Sequence, residues 1–402
     1  MANRPRILYV VHDFLPEVAA GTELHTLWLA EELSKEYEIF IFTRTHDPSL
    51  EEYATRDEEF QGLKIRRVKS TNRDWVHPAD FYLNLRIGDL FASYIDEIHP
   101  ALIHIHHTFG LSATVMELAA ARHIPTVLHL RDFHYMCQKI HLLDASGKLC
   151  NGPLEGLKCA DCIQVDSNPY ILKDLSFLYS HRIFEQGGID RAEYMRTLLL
   201  LPELIICPSE FLKEKFVEFG VSAFKIRVSP EGVKLEGVQR QRYEGKKEKI
   251  VFGFIGNVVY HKGLHILIEA FEGLDQSRAE LQIFGEEVDA ALTERLRTVC
   301  QGLNVRFMGG YSHDAFAAKV PVIVSDIPAQ RDAVRDGIDG LHFHVGDPGD
   351  LSRKMNLLLE KPDILLRLRE HTPQVRDIAH QAREFATIYE EFIHNMNRGL
   401  SN

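Results

Sequence analysis

Apolar residues come along this chain in short unbroken runs, each followed by a turn and then by a stretch with helical spacing. Arg6-Ile-Leu-Tyr-Val-Val11 is the first such run, and an uninterrupted apolar strand belongs to a parallel sheet buried on both faces. It ends in His12-Asp-Phe-Leu-Pro16, after which Ala19-Ala-Gly-Thr-Glu-Leu-His25 opens a helix with Leu24, Leu27, Leu29 and Leu33 on its buried side. Thr22 is expected to cap that helix, and Gly21 lets a ligand approach the backbone. Strands are predicted at 37–43, 63–68, 101–107 and 126–130, with helices at 87–98 and 113–122. This β/α alternation implies a doubly wound parallel sheet, which takes ligands at the C-terminal ends of its strands.

Pro169 to Leu200 has mostly helical spacing, broken at Gly187-Gly188, and is read as packing more than as a lipid face. Leu204 to Pro208 is a strand, and Ser209 caps the helix Glu210 to Phe219. Residues 240–249 are polar and aperiodic, the pattern of a linker. Beyond it the alternation restarts, with strands at 249–255, 279–284 and 304–308 and helices at 264–272 and 290–301. Two α/β domains are therefore expected, 1–235 and 236–375, with a cleft between them. The second opens on Phe252-Gly-Phe-Ile-Gly-Asn-Val-Val-Tyr-His-Lys-Gly263. A strand, a sharp turn at Gly256 and a helix start collect free N–H groups and a positive dipole end at one point, to which Lys262 adds a full charge. Such a cradle suits phosphate, although the same turn also serves merely to close a βα unit.

Charge and composition narrow the partners. With 58 acidic against 46 basic side chains, the net charge of −12 argues against a nucleic-acid binder. No apolar run reaches membrane-spanning length, and a strand begins within a few residues of the start with no signal peptide. The cytoplasm is the expected compartment, including the inner face of a membrane through peripheral contact. Cys207 and Cys300 stand alone in apolar segments and read as small core residues. Cys137, Cys150, Cys159 and Cys162 instead form a C-x12-C-x8-C-x2-C array in a polar loop, open to a structural zinc, free thiols or disulfides. His104, His106 and His107 end a strand, with the first two on one face, and read as substrate-facing or core histidines.

Taken together, the opening strand with Ala19 to His25, Ile205-Ile-Cys-Pro-Ser-Glu-Phe211, Phe252 to Gly263, Leu281-Gln-Ile-Phe-Gly285, Val305-Arg-Phe-Met-Gly-Gly310 and Pro321-Val-Ile-Val-Ser-Asp326 resemble the retaining glycosyltransferases of family 4, the glycosyl transferases group 1. The order and spacing of these segments carry the likeness over nearly the whole chain. The resemblance implies a GT-B fold: two Rossmann-like domains facing a cleft, with a C-terminal helix, here about 376–402, crossing back to the first. It implies a nucleotide-diphosphate sugar donor, UDP- or GDP-linked, on the second domain and an acceptor on the first: a glycan, a lipid-linked sugar or a small molecule. No cofactor or metal is implied for the chemistry.

On this reading Lys262 is the diphosphate lysine and Gly21 meets the donor phosphate. Thr22, Gly256, Asn257, Gly285 and Tyr311 complete the donor side, Arg131 and Asp132 join Lys262 as catalytic candidates, and His106, His129 and His134 face the acceptor. The chain departs from the family in three places. Asn257 stands where an arginine is usual, and Arg131-Asp132 stands where a histidine-aspartate pair is common. After Asp314 the chain passes straight to Ala315-Phe-Ala-Ala-Lys-Val-Pro321, and roughly 30 residues that normally carry two glutamates are absent, about one βαβ unit. An omitted segment accounts for this better than a truncated enzyme, because losing a central strand and its cover would expose the second core. A non-catalytic sugar-nucleotide-binding or partner subunit is the alternative function.

Overall fold

A computed structural model describes residues 4–71, 78–144, 146–153, 159, 162, 191–235, 249–310 and 320–399. The chain divides into two compact units, Met1–Lys234 with Arg376–Asn402, and Leu235–Val375.

The first unit is built on an eight-stranded sheet in the order β3-β4-β2-β1-β5-β6-β7-β8. Its central strand β1 (Arg6–Val10) pairs in parallel with β2 (Glu38–Thr45) on one side and β5 (Leu102–Ile105) on the other. β4 (Leu63–Lys69), β6 (Thr126–His129), β7 (Leu204–Cys207) and β8 (Ile226–Val228) extend it in parallel, while β3 (Thr55–Phe60) is an antiparallel edge strand. The unbroken apolar run of β1 feeds two cores. Leu8 and Val10 join Phe42, Phe91 and Ile103 on one face, and Ile7 and Tyr9 join Ile41, Leu102 and Phe385 on the other. Helices α2 (Leu85–Ile98) and α3 (Val115–Ala121) supply the first face. Helix α1 (Gly21–Leu33) and the C-terminal helix Ile378–Gly399 supply the second. The strand order reverses beside β1, so the crevice at the C-terminal ends of β1 and β5 is the unit's topological switch point.

Local capping differs from expectation at α1. Ala20 is the N-cap, Thr22 lies inside the first turn, and the Glu23 carboxylate reaches back to accept from the Ala20 N–H at 3.2 Å. A carboxylate at the third helical position does the capping that the threonine was expected to do.

In the second unit β9 (Ile250–Ile255), β10 (Ala279–Phe284) and β11 (Val305–Gly309) form a parallel three-stranded sheet in the order β11-β10-β9. β12 (Val322–Ser325) and β13 (Gly340–Phe343) pair only with each other among the described residues. Leu281, Ile283, Phe252 and Phe254 pack against the helices Leu264–Glu272, Ala290–Val299 and Pro348–Glu360. On the opposite face Val251, Ile255 and Met308 are 41%, 42% and 47% exposed. The continuous doubly wound second sheet expected from the sequence is therefore split among the described residues.

Candidate active site

The switch point gathers titratable side chains from every strand that ends there. His12 and Asp13 leave β1, Glu23 lies in the first turn of α1, His106 and His107 leave β5, and Arg131, Asp132 and His134 leave β6. The His12 and His107 rings lie 4.5 Å apart and those of His107 and His134 4.9 Å apart. His107 Nδ1 accepts from the Phe109 N–H at 3.0 Å, so its Nε2–H donates to Asp132 Oδ2, also at 3.0 Å. The His134 N–H donates to Asp132 Oδ1 at 2.8 Å. Burial pushes the Asp132 carboxyl up, but the His107 ring beside it, which donates to it, more than offsets this and holds it below the usual carboxylate range. Its side chain is still one-third exposed, at 33%. Asp132 is thus an oriented, ionised acceptor with an open edge.

Two further carboxylates flank it. Arg44 clasps Asp13 through two bonds of 2.9 Å each, and these together with His46 hold the acid ionised against its burial. Glu23 is buried, which raises its pKa, and His12 Nε2 lies 3.4 Å from its Oε1. Burial, then the neighbouring His107, lowers the His12 pKa far below that of a free imidazole. The group pairs an anionic carboxylate with neutral imidazoles, a set that can bind and orient hydroxyls.

Arg131 does not open onto this surface. Its side chain is 6% exposed, Nη1 donates to Glu231 Oε1 at 2.6 Å, and Nη2 reaches Nδ1 of His25 at 2.7 Å and of His106 at 3.0 Å. Arg131 is an internal strut in this structure. His106, His129 and His134 are likewise buried, at 0%, 1% and 1% exposure, whereas the side chains of His12 and Asp132 keep open edges of 20% and 33%. Gln381 accepts from the Gly232 N–H at 2.7 Å and meets His25 Nε2 at the same distance, which ties the C-terminal helix to this network.

His104, His106 and His129 each bring a ring nitrogen within 4.8 Å of the others, the one such grouping among the described residues. Their tautomers oppose a cation. Arg131 donates to His106 Nδ1, which puts the neutral ring's proton on Nε2 in place of a lone pair, and the guanidinium adds repulsion. Tyr389 donates its proton to Tyr9, so it accepts from His104 Nδ1–H at 2.6 Å. The trio is a polar layer beneath the site.

The second unit presents a ledge at the ends of its three parallel strands. The Gly256 N–H donates to Phe284 O at 2.9 Å and the Gly285 N–H to Gly309 O at 2.7 Å. Gly285 has φ +155°, and a Cβ there would lie 1.9 Å from Gly256 O, so no other residue fits. Asn257 and Lys262 are exposed beside the ledge, and Gly263, at φ +73°, is the N-cap of the helix Leu264–Glu272. Gly256, Asn257, Lys262 and Gly285 thus lie at one end of the second unit's sheet. Tyr311 and Asp314 lie outside the described residues. Cys137, Cys150, Cys159 and Cys162 share a wall of one cavity in the first unit.

Family comparisons fall on both units. Residues 19–149 match the family model described as Glycosyltransferase Family 4, and residues 309–375 match Glycosyl transferases group 1. The chain thus carries two glycosyltransferase family matches, one in each unit. Its fold is GT-B, shared with solved enzymes of low identity. HepE of Anabaena, in complex with UDP and glucose, is 13% identical with a TM-score of 0.64, over 96% of this chain and 100% of that one. Sucrose-phosphate synthase of Thermosynechococcus elongatus is 14% identical with a TM-score of 0.63, over 98% and 100%. The catalytic domain of starch synthase IV from Arabidopsis thaliana is 12% identical with a TM-score of 0.60, over 98% and 100%. No curated protein sequence matches the chain. Among its described residues no helix is long and apolar enough to cross a membrane.

Sequence reasoning missed His12, Glu23, His25 and Glu231 as members of this network. Their signal was position alone: each sits within a few residues of a strand end or a helix start, where open α/β sheets concentrate function.

Proposed function

We propose that the chain transfers a hexosyl group from a nucleotide-diphosphate sugar, UDP- or GDP-linked, to an acceptor hydroxyl, with retention and without a catalytic metal. The observation that carries this reading is the side-chain-free ledge of Gly256 and Gly285 beside the exposed Lys262 and the start of the helix Leu264–Glu272. The first N–H groups of that helix, its dipole and the lysine can together stabilise a departing diphosphate, and the bare ledge leaves room for it. In the first unit Gly21 opens α1, and a Cβ there would meet nothing within 4 Å, so its backbone is open to a phosphate. Asp132, held by His107, is suited to accept a hydrogen bond from a sugar or acceptor hydroxyl. The departing diphosphate oxygen takes the acceptor proton on the same face, so no strong protein base is needed. The solved HepE complex with UDP and glucose supports a nucleotide sugar as the donor class. The acceptor is a glycan, a lipid-linked sugar or a small molecule.

Lys262→Ala should lower kcat about 10²- to 10³-fold, the scale for losing one stabilising group on developing charge, with an unchanged melting temperature. Full activity in that variant would refute the role. A second reading, a sugar-nucleotide-binding subunit without catalysis, draws on Asn257 and on the open face of the second sheet. Donor hydrolysis by the purified protein separates the two: binding in thermal shift with no hydrolysis or transfer favours the subunit.

A further inference from the structure

The segment 12–20 joins β1 to α1, so it carries His12 and Asp13 at one end and delivers Gly21 at the other. Two buried arginines from neighbouring strands hold it. Arg44, at the end of β2, clasps the Asp13 carboxylate through two bonds. Arg67, in β4, is 0% exposed and turns its fork on the backbone: Nη1 donates to Phe14 O at 3.4 Å and Nη2 to Leu15 O, while Nε donates to Glu58 Oε1 at 2.6 Å. Its Nε also lies 3.5 Å from Glu17 Oε1. Glu17 accepts in addition from the Thr45 hydroxyl at 2.7 Å and from Arg56 Nη2 at 2.8 Å. Beyond it, Glu23 holds the Ala20 N–H at 3.2 Å. The segment is thus tied at Asp13, Phe14, Leu15, Glu17 and Ala20 before Gly21 opens the helix.

A guanidinium buried in a strand adds little stability over a well-packed apolar side chain of similar volume, because desolvation offsets most of the ion pair. What it supplies is direction. A planar fork serves two successive carbonyls and a carboxylate at once, which the single point charge of lysine does not, and methionine offers no donor at all. We propose that Arg67 is a positioning residue for the donor phosphate: it sets the course of the segment from Phe14 to Glu17, and through it the place at which the Gly21 backbone meets that phosphate. This role rests on Gly21 facing the donor, as proposed for the transfer reaction. Gly21 is exposed, and a Cβ on it would meet nothing within 4 Å, so its place is set by the segment that leads to it and by the helix it opens. A shift of about 1 Å at such a contact can cost up to a hundredfold. Arg67 touches neither Gly21 nor, on this reading, the donor, and it acts only through the loop.

The test uses the full chain with UDP-glucose and GDP-glucose as donors, scored by nucleotide released on hydrolysis, and with UDP and GDP alone in calorimetry. Arg67→Met should raise the donor KM and the nucleotide Kd about 10- to 100-fold while kcat changes less than about threefold, because the contact is made equally before and in the transition state. Arg67→Lys should fall between that variant and the wild type. An arginine that only stabilises the fold gives the opposite split: fewer folded molecules lower kcat and leave KM as it was. Because a variant at a buried arginine can fail to fold, Glu17→Gln loosens the same segment from its exposed end, and it should raise KM about three- to tenfold at an unchanged melting temperature, the scale of one weakened charged hydrogen bond. Should the wild type bind without turnover, the nucleotide Kd alone decides. The inference is overturned by a wild-type KM and Kd in Arg67→Met, or in Glu17→Gln where the arginine variants do not fold, and by a loss carried by kcat alone; in each case the effect of Lys262→Ala still stands as the test of the donor site. A wild-type protein that neither binds nor hydrolyses either nucleotide sugar overturns the donor reading itself, and this role with it.

Discussion

The two parallel sheets of this chain follow one plan and meet different surroundings. β1, β5, β6 and β7 of the first unit are buried nearly throughout, whereas β9 and β11 of the second alternate between half-buried and exposed positions. The difference does not lie in the strands' own residues, since Val251, Ile255 and Met308 are as apolar as their counterparts in β1. It lies in cover. Helices on both faces turn a run of apolar residues into two cores, and helices on one face leave half of the same run against solvent. An apolar strand pattern therefore reports the sheet a sequence is adapted to, and its exposure reports the cover that is missing.

The largest effect expected from probing this contrast is at Phe385, whose ring stacks 5.2 Å from His104 and 5.7 Å from His129 inside the doubly covered sheet. Phe385→Ala should cost the first unit about 3–5 kcal/mol in denaturant unfolding; a loss under about 1 kcal/mol would show that the second core is not closed by this helix. Acid should come next. His25 has its pKa lowered to about 4 by burial and by Arg131, and burial also lowers those of His104, His106 and His129 well below that of a free imidazole. A depressed imidazole keeps its full stabilising contribution above the unfolded value near 6.5 and loses it as pH falls towards the folded value. His25 alone should cost about 2 kcal/mol at pH 5 relative to pH 7, so the first unit's thermal transition should fall on acidification; a flat or rising transition would contradict the buried network. The smallest effect belongs to the open face. Ile255→Ser should change stability by no more than about 0.5 kcal/mol, as for an ordinary surface site. A cost of about 2 kcal/mol or more, or an intact mass above 46.1 kDa for the natural product, would show that further chain covers this face.

Much of this architecture was legible because the switch-point strands are unbroken apolar runs with turn residues at their ends. Arg6 to Val11 and Ala279 to Phe284 stand where their pattern predicts. β3 was not legible: Thr55-Arg-Asp-Glu-Glu-Phe60 carries one apolar residue, because an edge strand outside the core is held by ladder bonds and by ion pairs such as Arg67 with Glu58 at 2.6 Å. The N-terminus of α1 was legible in place but not in its capping residue, since threonine and glutamate three residues after Ala20 both fit the local code. In the site, glycines at strand ends could be read because only glycine tolerates their geometry, as at Gly285. The inward turn of Arg131 could not, because Glu231 lies 100 residues away along the chain. Pairings of that span leave no periodic mark.

The C-terminal helix sets an order in time. Tyr389 closes on Tyr9 and His104, residues 380 and 285 positions earlier, and Gln381 and Phe385 complete the layer beneath the switch point. During synthesis the first unit emerges early but stays unsealed while the whole second unit is made, its histidine layer wet until the last helix leaves the ribosome. A nascent chain halted anywhere before residue 378 should thus expose the buried face of α1 to chaperones, and the enzyme's site is assembled last although its residues are translated first.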